Sequence, residues 1–107
     1  MPLLFDTYDP RPSPCRVYLT EERYQHICTR HPELTDHVDL IQQAVERPWF
    51  ITADEHDDLV ENYYSKGVYP GLANLWLRVV VKQGKILTAY LVGNLKKETI
   101  IWIRSSS

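Results

Sequence analysis

Much of what this 107-residue chain lacks is informative. It has only two cysteines, Cys15 and Cys28, too few for the disulfide framework on which small secreted domains rely, so a reduced, cytoplasmic setting is expected. No apolar run approaches the ~18–20 residues that cross a bilayer, and the opening Met-Pro-Leu-Leu-Phe-Asp-Thr lacks the basic and apolar regions of an export signal. Neither membrane insertion nor export is expected. Positive charge is not in excess: 12 Lys+Arg face 14 Asp+Glu, a net of −2, which excludes a uniformly basic protein that coats nucleic acid. There is no Gly-rich phosphate loop, Cys-x-x-Cys, His-Glu-x-x-His or Gly-x-Ser-x-Gly. His26, His31, His37 and His56 show no recognised ligand spacing, so no metal or cofactor is expected.

What remains is an ordinary globular composition, 44% hydrophobic and 24% charged, enough for one core and one domain. The charges are polarised. Residues 33–62 hold nine acidic residues against one basic, whereas residues 72–107 hold six basic against one acidic. The near-neutral total therefore leaves a basic surface open.

Four of the seven prolines, at positions 2, 10, 12 and 14, mark residues 1–14 as an extended Pro-rich leader, with a single domain over 15–104. A short strand at 15–19 leads to a helix over 21–30, capped by the Thr20 hydroxyl with Glu21 and Glu22 in its first turn. Pro32 places His31 at the helix exit. A second helix is expected from Asp36, with Thr35 as cap, to Pro48. Strand-like runs then follow at 49–53, 59–65, 75–82, 86–93 and 99–104. The expected fold is α+β, with two N-terminal helices packed on an antiparallel sheet of four to five strands.

One hairpin can be registered from its alternation. Leu75, Leu77, Val79 and Val81 match Leu87, Ala89 and Leu91 if a three-residue connection, Gln83-Gly84-Lys85, joins the strands. That register puts Arg78 opposite Tyr90, Val80 opposite Thr88 and Lys82 opposite Ile86. Its second face then carries two cations, a hydroxyl and a phenol. On the first helix Arg23, His26 and Arg30 share a stripe at i, i+3 and i+7, suited to an anion and equally to plain solvation.

The arrangement Leu-Thr-x-Glu-Arg-Tyr-x-His-Ile-x-x-Arg-His-Pro-Glu-Leu resembles the phage-associated nuclease-like families of the barnase/EndoU/colicin/RelE superfamily. So do Tyr63-Tyr64, Val79-Val80-Val81-Lys82, Leu87-Thr88-Ala89-Tyr90 and Ile101-Trp102 further along. The resemblance covers roughly residues 17–103, and His-Ile-x-x-Arg-His-Pro-Glu is its most specific part. It implies a metal-independent endoribonuclease with RNA as substrate, and admits an antitoxin or immunity-type protein as a further partner.

Carried over by position, the resemblance points to His26, Arg30, His31, Glu33, Lys82, Thr88 and Tyr90. Metal-free RNA cleavage needs a base for the 2′-hydroxyl, an acid for the leaving 5′-oxygen, and cations for the phosphorane. The expected catalytic set is His26, His31, Arg30, Thr88 and Tyr90. The expected substrate contacts are Arg23, Arg78, Lys82, Trp76 and Tyr64. The rival reading is a non-catalytic RNA- or protein-binding module on the same fold.

Overall fold

The computed structural model describes residues 2–105. Among them the elements run β1 (Leu3–Tyr8), β2 (Arg16–Thr20), α1 (Glu21–Arg30), a 3-10 turn (Pro32–Leu34), α2 (Val38–Glu46), β3 (Phe50–Ala53), β4 (Val60–Lys66), β5 (Trp76–Lys82), β6 (Lys85–Val92) and β7 (Thr99–Ile103). The strands form one sheet in the order β1-β2-β6-β5-β4-β3-β7. This corrects the expected architecture of two N-terminal helices on four to five strands. The sheet has seven strands, and both helices follow its first two.

Part of the difference lies at the start of the chain. The prolines of residues 1–14 bracket the segment Leu3–Tyr8 and do not interrupt it, so its amides remain available and it pairs antiparallel with β2. Phe5 enters the core. The connection back to β2 is held by Asp9. Its carboxylate accepts from the Cys15 amide (3.0 Å), Arg11 Nε (2.8 Å) and the Tyr63 hydroxyl (2.7 Å), while Arg11 also reaches Glu61 (2.8 and 2.9 Å). Burial alone would raise the Asp9 pKa, but the bonds from Arg11, Tyr63 and Cys15 outweigh it and hold the carboxyl below its usual range. A depressed native pKa gives stability that is present above the unfolded value of about 3.9 and lost as pH falls through the native value. Urea unfolding followed from pH 6 downward should therefore show an acid-sensitive limb, and Asp9→Asn should flatten it.

Helix α1 begins where expected because the Thr20 hydroxyl accepts from the Arg23 amide (3.1 Å), and it ends at His31, whose amide closes on Ile27 O (2.6 Å) ahead of Pro32. Thr35 closes the 3-10 turn and does not cap α2. Asp36 takes a positive φ of 64°, and α2 starts at Val38. Leu40, Ile41, Ala44 and Val45 of α2 and Ile27 of α1 are buried against Ile51, Tyr63, Leu77, Val79 and Ala89 of the sheet. Among the described residues no helix is long and apolar enough to cross a membrane.

The β5–β6 hairpin pairs Arg78 with Tyr90, Val79 with Ala89 and Val80 with Thr88. At its tip, however, Val81 faces Ile86 and Lys82 faces Lys85, because the turn has two residues, Gln83 (φ 49°) and Gly84 (φ 88°), and Leu87 is bulged. The extra residue absorbs the one-place shift that a two-residue turn would otherwise impose, so both constraints are met. Gly84 also docks the hairpin on β2. Its carbonyl accepts from the Tyr18 amide (2.9 Å), and a Cβ there would lie 2.7 Å from Arg16 O. Gly84→Ala should thus cost about 1–3 kcal/mol, read by denaturant unfolding.

Candidate functional site

The two sides of the sheet differ in chemistry. In one cross-strand row Trp102, Ile51, Tyr63, Val79 and Ala89 face the helices. In the adjoining row Ile103, Phe50, Tyr64, Arg78 and Tyr90 face the other way, across β7, β3, β4, β5 and β6. His31 extends this second row. Its ring stacks on Tyr90 with centroids 5.2 Å apart and planes at 24°. It reaches that position because β2 touches β6 in register only at Tyr18 and Lys85, after which α1 takes over the free edge of β6. Arg23 on α1 donates to the carbonyl of the bulged Leu87 through Nε (3.1 Å) and Nη2 (2.5 Å). The bulge therefore fixes α1, and α1 presents His31. Glu33 Oε1 lies 3.7 Å from His31 Nδ1.

Arg78 sits at the centre of this row with its side chain 8% exposed. It donates to the Tyr90 hydroxyl and faces Glu98 Oε2 at 3.5 Å and Asp54 Oδ1 at 3.8 Å. Burial opposes its charge, but Tyr64, Tyr90 and Glu98 around it outweigh that and raise its pKa. Glu98 arrives from the connection 93–98, which runs between β6 and β7 over this face. Its carboxylate, 3% exposed, accepts from Tyr64 (2.7 Å), Thr52 (2.9 Å) and Asn62 (3.1 Å). Burial and the bond to Glu98 push the Tyr64 phenol well above its usual range. Asp54 is drawn the other way. Burial opposes its ionisation, but the His56 amide, Asn62 and Arg78 hold its pKa below the usual value. Asn62 Oδ1 and Arg78 Nε are buried without a partner among the described residues.

Of the expected site residues, the fold brings together His31, Tyr90, Arg78 and Tyr64, with Trp76 beside them. Tyr64 is buried and stacked on Phe50 (5.0 Å), so its ring is not offered to a ligand. Trp76 packs against Trp49, Phe50 and Tyr64 under Lys66 Nζ (5.5 Å). Thr88 lies on the same face in the next row toward the hairpin tip, opposite Val80. His26 is half-buried and Arg30 exposed on α1, neither with a polar side-chain partner among the described residues. Arg23 serves the Leu87 carbonyl, and Lys82 pairs with Asp57 at 3.1 Å.

Glu98, Asp54, Asn62 and Thr52 escaped the sequence reading. Nothing in Lys96-Lys97-Glu98-Thr99 separates this glutamate from a solvated connector, and only the crossing of the chain buries it. Among the described residues no three His, Cys, Asp or Glu side chains converge as a metal-binding group. Comparison with protein-family models, curated proteins and solved structures found no match.

Proposed function

We propose that the chain is a metal-independent endoribonuclease-like domain, of the phage-associated nuclease-like kind in the barnase/EndoU/colicin/RelE superfamily, with His31 and Tyr90 at its reacting centre. The observation that carries this reading is the stack of His31 on Tyr90. It joins the His-Ile-x-x-Arg-His-Pro-Glu segment to the Leu-Thr-Ala-Tyr strand, the two stretches that carry the chemistry of the resemblance. Glu33 lies on the Nδ1 side of His31, leaving Nε2 to take the 2′-hydroxyl proton. The 2′-oxygen then closes on phosphorus, the P–O5′ bond breaks, and the leaving oxygen takes a proton from solvent, to which His31 returns its own. Because Arg78 donates to the Tyr90 oxygen, the phenol's own proton is directed elsewhere, toward a phosphate oxygen. Arg30, exposed beside His31, supplies the cation.

The test is incubation of the purified protein with labelled single-stranded RNA in EDTA. The expected result is 2′,3′-cyclic phosphate products from RNA and none from the 2′-deoxy analogue. Intact RNA across varied sequences would overturn the reading. A second reading, a non-catalytic RNA- or protein-binding module, draws on the internal engagement of Arg23, Arg78 and Lys82, which leaves fewer cations for a phosphorane.

A further inference from the structure

At the end of the polar row remote from His31, the sheet carries an aromatic platform that the reaction above does not use. Trp49 precedes β3 and is 42% exposed. Its amide donates to Tyr64 O (2.7 Å), and its carbonyl accepts from the Arg104 amide (2.8 Å). The Trp76 ring meets it edge-on at 5.3 Å and 81°. Backbone and ring together hold the indole in one orientation. Beside it lies a surface pocket of about 280 Å³, lined by Trp49, Phe50, Ile103, Arg104 and Ser105. That volume falls just below the ~300–1,000 Å³ of pockets that enclose whole small ligands, and suits one unit of a polymer.

Charge selects the occupant. Arg104 lies over Trp49 with Cζ 5.8 Å from the ring, and its Nε (3.3 Å) and Nη2 (2.5 Å) donate to the carbonyls of Pro48 and Arg47. Lys66 lies over Trp76 at 5.5 Å. Among the described residues neither cation has a carboxylate within ion-pair distance, and no acid lines the pocket. An indole face next to unneutralised cations is what a nucleobase with its attached phosphate requires. By contrast, the pocket at the Asp54 side of the face is lined by Asp54, Glu55, Asp58 and Glu98 with Lys97 as its one cation, and its net negative charge repels a polyanion.

We infer that Trp49, braced by Trp76 and flanked by Arg104 and Lys66, is a base-stacking subsite for single-stranded RNA. It lies three strand spacings, about 14 Å, from Tyr90. The inference rests on the ribonuclease reading for its choice of ligand but not on catalysis.

The probe is a fluorescent 2′-O-methyl octauridylate, which binds without being cleaved, followed by anisotropy on the full chain. Trp49→Leu should weaken binding about 5- to 100-fold, and Trp49→Phe should recover most of that loss. Arg104→Gln should lower the slope of log K against log salt by about one. Thermal unfolding of each variant checks that the fold is retained. Binding of the probe by the wild type with no cleavage of ordinary octauridylate would leave the subsite standing and remove the catalytic reading. Unchanged affinity in folded Trp49→Leu, or no binding by the wild type at low salt, would overturn the subsite.

Discussion

Glu98→Ala should destabilise the protein by about 3 kcal/mol, a fall of roughly 10–20 °C in Tm. The carboxylate accepts from three side chains and faces Arg78. Without it Asn62 keeps only its bond to Asp54 (3.3 Å), Tyr64 and Thr52 lose their acceptor, and Arg78 keeps one carboxylate at 3.8 Å. A charge left under-compensated at a buried position costs more than the pair contributes when intact. Glu98→Gln keeps the shape and some of the hydrogen bonds but not the charge, and should fall between wild type and Ala. Calorimetry decides the matter. A Glu98→Ala protein melting within a degree or two of wild type would mean that the connection 93–98 is solvated and Arg78 is satisfied by water.

In the cleavage assay His31→Ala should lower the rate about 10²–10⁴-fold, the range of a lost proton-transfer group. Tyr90→Phe keeps the ring on which His31 stacks and removes only the hydroxyl, so its loss should be confined to kcat, at about 10²-fold or somewhat more, as for a single donor to the developing charge. Arg78→Lys separates roles further. Lysine keeps the charge beside Glu98 but not the planar fork that reaches both Glu98 and Tyr90. It should reduce kcat with little change in KM if Arg78 acts through Tyr90. A rise in KM with kcat unchanged would instead make Arg78 a direct phosphate ligand.

The local structure around these residues was legible in the sequence. The Thr20 cap, the two glutamates after it and Pro32 set α1 at Glu21–Arg30, since caps, helix dipole and proline act within one turn. Strict alternation placed Arg78 opposite Tyr90, because a one-residue slip would turn every side chain of the strand to the wrong face. Other features depended on contacts far along the chain. The leader prolines hid β1, whose pairing is decided by β2. Apolar matching favoured a three-residue connection, whereas the turn has two residues and a bulge at Leu87, whose carbonyl accepts from Arg23, 64 residues away.

By itself, then, the sequence determined α1, the strand runs after Pro48 and the Arg78–Tyr90 face of the β5–β6 hairpin, since periods of 3.6 and 2 and the chemistry of caps are local. Only the tertiary structure decided that seven strands join one sheet, that α1 borders β6 so that His31 meets Tyr90, and that Glu98 crosses the face to bury Arg78. These are matters of strand order and chain crossing, fixed by the shared burial of distant residues, and no short stretch of sequence carries them.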